Sequence, residues 1–498
     1  MHYLGIDVGT SGTKALLIDD AGKVVLSASA SYGMDTPQNG WAEQHPDIWW
    51  NSAVSVIRQI TTQVNPAEIA AVGLTGQMHG LVILDENDQV IRPAILWCDQ
   101  RTEAECAEIN DIIGEDNHIK ITANPPLTGF TSPKILWVKK HEPQNYAKIA
   151  KIMLPKDYIR FKLTGDNACD VSDASGTGLL NVSKRAWSAE ICSKLGIDIR
   201  FLGKLYESCE ISGKVHSTFA SETGLSIGTP VTAGAGDNAA AAIGTGVAFD
   251  GSSFITIGSS GVVFTHTKNI NIDPNGRVHS FCAAVSGEWH NMGVSLAAGM
   301  SVSWLRDNFM PELSFTELTA LAEASTTAGN RLLFLPYLNG ERTPHKDPSA
   351  RGVFFGLSSS HTRGDLARAV IESICYSAKD SVNIINGMNQ DAQIKSIIAC
   401  GGGSSFAFTR QTLADVLGIP VIPAPNTDGP ALGAAILAAV SVRRFASVPE
   451  ASAEWIQPDE SLQSVPDIEL HKKYREYHAL YGKLYSSLKN NFVELARL

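Results

Sequence analysis

Short apolar runs broken by small polar residues open the chain. Residues 3–8 are apolar and end in an acid and glycines; residues 14–19 and 23–30 are further runs, separated by Gly, Asp and Ser. This spacing predicts a β-meander, with Asp19-Asp20-Ala21-Gly22 as a hairpin turn. His45-Pro46-Asp47 places a proline where a helix starts, and an amphipathic stretch follows as far as Gln63. Residues 69–74 read as a strand, 76–80 as a loop and 82–84 as a strand. The first third is therefore α/β rather than all-α. Residues 100–230 mix helical patterns with turn chemistry. Residues 231–246 read as strand, glycine turn and Ala-rich helix; 253–257 and 262–265 read as strands flanking Gly258-Ser259-Ser260-Gly261.

That last motif repeats an earlier one. Ile6-Asp7-Val8-Gly9-Thr10-Ser11-Gly12 and Thr256-Ile257-Gly258-Ser259-Ser260-Gly261 both read apolar strand, Gly-[Ser/Thr]-Ser-Gly, apolar strand. Two copies about half a chain apart predict a duplicated half, each opening on a glycine hairpin. The boundary falls near residue 247, giving domains 1–246 and 247–498. Gly401-Gly402-Gly403 and Thr427-Asp428-Gly429-Pro430 are further turns into helices, and no low-complexity linker interrupts the chain.

Composition narrows the class. The 498 residues carry 40 Lys and Arg against 51 Asp and Glu, a net charge of −11, which argues against a general nucleic-acid binder. A small anion stays admissible, because backbone amides hold phosphate inside acidic proteins. The eight cysteines are dispersed without a CxxC pair, which predicts reduced thiols and no zinc knuckle. The start has no basic n-region, and the Ala-rich stretch 431–442 is too short to span a bilayer. A cytoplasmic protein without a membrane partner is expected; a homodimer stays open.

Several loops carry candidate chemistry. In Gly9-Thr10-Ser11-Gly12, glycine amides and hydroxyls can face an anion and Lys14 adds a cation. Asp7 just before them would repel phosphate unless Mg²⁺ lies between, held through water. Ala15 after Lys14 excludes a Walker A loop. Gly234-Ala235-Gly236-Asp237-Asn238-Ala239 fits a dinucleotide fingerprint, but Asp237 would sit where the pyrophosphate belongs, and no strand ending in an acid follows at the required distance. An acid at a strand-to-helix turn suits a general base, with Asn238 beside it for a neighbouring hydroxyl; an Asx-turn or helix cap accounts for Asp237 equally well. Gln77, Met78 and His79 form a polar loop able to hydrogen-bond a polyol. Trp97, Asp99 and Arg101, and the loop Gly340-Glu341-Arg342-Thr343-Pro344-His345, are further polar clusters. Gly401, Gly402 and Gly403 leave bare backbone against which a base or ribose could lie.

Together the acid–glycine hairpin, its second copy, the Gly-Asp-Asn turn and the late triple glycine resemble the FGGY carbohydrate kinases. Two longer stretches carry the same resemblance: residues 129–141, beginning Gly129-Phe130-Thr131-Ser132-Pro133-Lys134, and residues 352–372, with Gly352-Val353-Phe354-Phe355-Gly356-Leu357 at the start and Glu372 at the end. The likeness runs from residue 3 to at least 440. It implies two actin/hexokinase/Hsp70-like (ribonuclease H-like) α/β domains with a cleft between them. The stretches at 76–80, 154–158 and 340–345 resemble members that phosphorylate a ketopentose. By that likeness Gln77, Met78, His79, Asp237 and Asn238 would hold the sugar, with Asp237 as the base. Asp7 would help to hold Mg²⁺. Thr10, Ser11, Lys14, Gly258, Ser259 and Ser260 would face the phosphates of ATP, and Gly401, Gly402 and Gly403 its adenosine. Ser259 departs from the threonine more usual there and keeps the hydroxyl. Other readings are a kinase for ribulose, gluconate or glycerol, and a non-catalytic sugar sensor or ATPase on the same fold.

Overall fold

Alternating apolar positions in the first three runs become β1 (His2–Val8), β2 (Gly12–Asp19) and β3 (Val24–Ser31) in the computed structural model, which describes residues 1–326 and 329–497. They pair antiparallel, the expected meander. Helix α1 (Pro46–Thr61) buries Trp49, Ala53, Val56, Ile57 and Ile60, one helical face, against β2 and β3. β4 (Ile69–Gly76) then joins the free side of β1 in parallel. β5 (Ile211–Lys214), β6 (Pro230–Thr232) and β7 (Ala235–Gly236) complete a sheet of order β5-β6-β4-β1-β2-β3, with β7 paired to the end of β4.

The second sheet repeats the plan. β8 (Ser253–Ile257) and β9 (Gly261–Thr267) form the second hairpin; β10 (His279–Cys282) and β11 (Trp289–Ser295) extend it antiparallel. β12 (Ile397–Cys400) and β13 (Val421–Pro423) add in parallel on the other side of β8, giving β10-β11-β9-β8-β12-β13. In each sheet, then, a glycine hairpin lies beside parallel strands, as the internal repeat predicts.

Helices cover the faces. α2 (Thr131–His141) belongs to the first half, α3 (Asp237–Gly244) ends it, and α4 (Gly299–Phe309), α5 (Arg363–Met388), α6 (Ala407–Leu417) and α7 (Gly429–Ser441) lie in the second. α7 comes late in the chain yet packs on β1 and β4 of the first sheet and along α3. Its small residues permit this: a Cβ on Gly5 would overlap the carbonyl oxygen of Ala431, and one on Gly73 that of Ala434. The eight cysteines are free thiols, and among the described residues no helix is long and apolar enough to cross a membrane.

Candidate active site

The parallel pairing of the first sheet assembles the site. Asp7 is level with Thr75 and Val8 with Gly76 across β1 and β4; Ala235 and Gly236 of β7 are level with the same two residues. Asp7, the loop after Gly76 and Asp237 therefore lie together at the carboxyl ends of adjacent parallel strands, where open α/β sheets bind ligands. Gly234, the first glycine of the fingerprint-like turn, has φ +84, and a Cβ there would overlap the Leu74 carbonyl oxygen. Its role is close approach to β4, so the turn needs no dinucleotide to explain it.

Both acids are hard to ionise here. Burial pushes Asp7 up to about 7, helped by the charge of Asp237 and opposed by Lys14. Burial likewise pushes Asp237 up to about 6, against hydrogen bonds from Asn238 that favour the carboxylate. Asp237 Oδ1 accepts from the Asn238 backbone N–H (2.7 Å) and Nδ2 (2.9 Å), which leaves Oδ2 for another donor. Asp7 Oδ1 is buried without a hydrogen-bond partner. No group of three or more His, Cys, Asp or Glu side chains suited to a metal occurs among the described residues. Mg²⁺ does not require one, since it binds through one or two carboxylates and takes its other ligands from water and phosphate.

The loop after β4 divides its side chains between two tasks. Met78 is buried against Gly236, where a Cβ would stand 2.8 Å from its sulfur. His79 takes φ 69, a left-handed conformation that a non-glycine residue holds only under constraint. The constraints are visible. Its ring lies flat on Phe130 (centroids 4.7 Å apart, 12° between planes), its Nδ1 is 2.7 Å from the Gly176 carbonyl oxygen, and its own carbonyl accepts from Thr131 Oγ1 and Lys134 Nζ, each at 3.0 Å. Burial lowers the His79 pKa to about 3, so the ring is neutral. Bonding to a carbonyl requires the proton on Nδ1, which leaves the Nε2 lone pair as an acceptor.

Gln77 is turned the other way. Its Oε1 accepts from Thr10 Oγ1 (3.1 Å), and its Nε2 donates to Gln44 Oε1 (3.1 Å) and the Gly9 carbonyl (3.4 Å). Expected among the sugar contacts, Gln77 here braces the first hairpin. Thr10 also accepts from the Trp97 indole N–H (2.9 Å), and its one hydroxyl proton is committed to Gln77. The Ser11 side chain is exposed at the tip. Lys14 forms an ion pair with Asp428 at the start of α7, so its charge is already matched within the protein. Asp99 and Arg101 pair with each other (2.7 Å).

The opposite wall belongs to the second sheet. The carbonyls of Gly258 and Ser259 accept from the backbone N–H groups of Ala298, Gly299 and Met300 at 2.8–3.1 Å, fixing the second hairpin to the start of α4. Ser259 is exposed and Ser260 half-buried. Gly401 has φ +85, and a Cβ there would stand 2.7 Å from the Ile257 carbonyl oxygen, so this position needs glycine. A cavity of about 610 Å³ runs from Asp237 and Asn238 past Thr256 to Gly401, Gly402 and Arg410. A second, of about 330 Å³, is lined by Gly258, Ser259, Gly299, Gly402, Gly403 and Phe406. Gly402 borders both. The two cavities offer one acid, Asp237, at one end and bare backbone at the other; Met78 and His79 line neither.

One buried network escaped the sequence reading. Lys156 Nζ pairs with Asp157 (2.7 Å), Asp170 (2.8 Å) and Asp173 (3.2 Å), all fully buried. Asp170 Oδ2 accepts from the Ser172 backbone N–H (2.7 Å) and Oγ and from Ser208 Oγ (3.1 Å). Ser172 Oγ in turn accepts from the Gly236 N–H (3.1 Å), the residue before Asp237. A charged core thus fixes the turn that presents Asp237. Lys156 and Asp157 stand in one of the stretches that carry the family likeness, but nothing in their spacing says they reach Gly236.

Sequence and structure comparisons identify the family. Residues 2–244 match the N-terminal domain of the FGGY family of carbohydrate kinases, and residues 253–442 match its C-terminal domain. The chain belongs to the FGGY family of carbohydrate kinases. A xylulose kinase of Bacillus subtilis is 37% identical over 98% of this chain and 97% of its own. The crystal structure of a xyloylose kinase from Brucella ovis superposes with a TM-score of 0.92 at 35% identity, covering 98% of this chain and all of that one. That of a gluconate kinase from Lactobacillus acidophilus gives 0.94 at 26% identity, covering 99% of each. The FGGY kinase fold is therefore the two-sheet α/β arrangement described above.

Proposed function

We propose that this FGGY kinase transfers the γ-phosphoryl group of ATP to the terminal hydroxyl of D-xylulose, giving D-xylulose 5-phosphate and ADP in the cytoplasm. The observation that carries the reading is the alignment of Asp7, the Met78–His79 loop and Asp237 at one sheet edge. It brings a carboxylate of raised basicity and a neutral imidazole acceptor to the same end of the sheet. The near-full-length similarity to a xylulose kinase supports the choice of sugar.

Phosphoryl transfer asks the protein mainly to position groups and to stabilise charge. Asp237 accepts the proton of the attacking hydroxyl, and its pKa of about 6 makes it a better base than an ordinary carboxylate. His79 Nε2 accepts from a second sugar hydroxyl, Asn238 binds a third, and Met78 covers the carbon chain. Backbone amides of the hairpins at 9–12 and 258–261 face the phosphates, with the hydroxyls of Ser11, Ser259 and Ser260 beside them. Thr10 contributes its amide, since its hydroxyl is committed; Lys14 contributes through its pair with Asp428. Gly401, Gly402 and Gly403 take the adenosine. The unpartnered Asp7 oxygen and the neighbouring Asp237 fit Mg²⁺, which Asp7 would hold through water; when bound, the ion supplies positive charge against the phosphate oxygens.

A panel of D-xylulose, ribulose, gluconate and glycerol with coupled ADP detection tests the assignment. The highest kcat/KM is expected for D-xylulose. A higher value for gluconate, the substrate named for the Lactobacillus relative, would overturn the choice of sugar and leave the family standing.

A further inference from the structure

The loop at residues 340–345 is tied down at every polar side chain but one. Thr343 and Val294 exchange two hydrogen bonds of 3.0 Å, and Thr343 Oγ1 donates to the Arg277 carbonyl at 2.7 Å. Glu341 Oε1 accepts from the N–H groups of Leu296 (3.0 Å) and Arg342 (2.8 Å). The His345 ring stacks on Tyr485 with centroids 3.4 Å apart. The Arg342 guanidinium alone has neither an ion pair nor a hydrogen bond among the described residues. The one acid whose charge it feels, Glu341, gives Oε1 to backbone amides and keeps Oε2 buried without a partner. Burial holds the Arg342 pKa below its ordinary value, although the side chain is only half-buried. A half-buried guanidinium without a protein partner keeps its donors available to a ligand.

Its place narrows the choice of ligand. The loop hangs on the end of β11, where Ser295 pairs with Gly261 of the second hairpin. Val294, which anchors Thr343, packs in one cluster with Phe130, Phe281 and Met292. His79 lies flat on that same Phe130. Arg342 therefore stands between the second hairpin and the His79 loop. Its charge bears on His79 and His279 but is not among the influences on Asp7 or Asp237. That is the end of the sugar site remote from the base.

We propose that Arg342, from the second domain, is a sugar contact whose guanidinium donates to the carbonyl oxygen at the non-reacting end of the ketose. The inference rests on the ketose reading above. Arginine offers donors and no acceptor, whereas the free nitrogen of His79 offers an acceptor and no donor. A hydroxyl satisfies either; a ketone oxygen satisfies only the donor. The pair thus reads a carbonyl and a hydroxyl at separate positions, and the planar fork can add a neighbouring oxygen.

The test measures Arg342→Gln and Arg342→Lys with D-xylulose as substrate and xylitol, which has a hydroxyl in place of the carbonyl, as competitive inhibitor. Arg342→Gln should raise the KM for D-xylulose about 10- to 100-fold, the weight of one charged hydrogen bond, with the KM for ATP within about twofold. Xylitol affinity should fall as well, because its hydroxyl also accepts from the guanidinium, and Arg342→Lys should recover part of the loss. An unchanged sugar KM, a KM rise confined to ATP, or an unchanged xylitol affinity each overturn the inference. A wild type that phosphorylates no ketose overturns the ketose reading and this inference together. A wild type active on D-xylulose whose Arg342→Gln variant keeps its KM overturns the inference alone.

Discussion

The two glycine hairpins share a sequence pattern and close differently. In the first, Val8 pairs with Thr13 and the Gly9 N–H reaches the Gly12 carbonyl (3.0 Å), leaving Thr10 and Ser11 at the tip. In the second, Ile257 pairs with Gly261 and the Gly258 N–H reaches the Ser260 carbonyl (3.0 Å), so Ser259 stands alone. A one-residue slip moves every later side chain to the other face. Lys14 accordingly pairs across from Asp7, whereas its counterpart Val263 pairs across from Ile255 and is buried. Asp7 itself is matched by Thr256. Side chains of Gln77, Gln44 and Trp97 brace the first hairpin; backbone at the start of α4 braces the second. One scaffold therefore carries buried acids on the first sheet and a neutral backbone turn on the second.

If that division holds, damage to the charged side should far exceed matched damage to the neutral side. The largest effect is expected from Asp237→Asn: a fall in kcat of about 10³-fold, the weight of a general base, with ATP affinity by calorimetry within about twofold. Substantial turnover by that variant would place the base elsewhere. Asp7→Asn should lower kcat/KM about 100-fold, while Thr256→Val at the matching position should change it by less than about threefold; equal losses would erase the distinction between the hairpins.

The pH dependence follows from the same carboxylates. Protonated Asp237 cannot accept a proton, so kcat/KM should fall as pH drops through about 6 and stay level above it. A profile flat down to pH 4.5 would contradict the raised basicity. For stability the sign is opposite. The folded-state pKa of Asp7 lies above the ordinary value, so ionising it destabilises the fold, increasingly as pH rises from near 4 to about 7. Asp7→Asn should therefore stabilise the protein by on the order of 4 kcal/mol at pH 8 and by little at pH 4, read from denaturant melts. The smallest effect sharpens the role of the buried network. Ser172→Ala removes the acceptor of the Gly236 N–H and should lower kcat about tenfold with KM values within about twofold. A loss seen in KM alone would mean that Ser172 does not act through Asp237.

Much of this was legible in sequence. The meander, the repeat and the turn at Asp237 rest on local signals: apolar alternation, glycine spacing, and an acid between strand and helix. The direction of Gln77 was not legible, because a polar residue in a loop gives no sign of which neighbour it meets. Here the register of β4 against β1 carries it to Gly9 and Thr10. Lys14 was read as a free cation because its partner, Asp428, is remote in the chain and meets it only when α7 docks. The chain from Lys156 through Asp170 and Ser172 to Gly236 was hidden for the same reason, since its links are set by packing between distant segments. The unpartnered state of Arg342 is likewise a property of the folded surroundings.

The late return of α7 to the first sheet has a consequence for biogenesis. Gly5 and Gly73 lie bare until residues 431–434 reach them, so a ribosome must add residues through Ser441 before the opening sheet can be covered. The amino-terminal half emerges first and completes its core last. A fragment ending near residue 246 would expose the apolar side of β1 and β4, and a nascent chain at that length is a natural client for a holding chaperone.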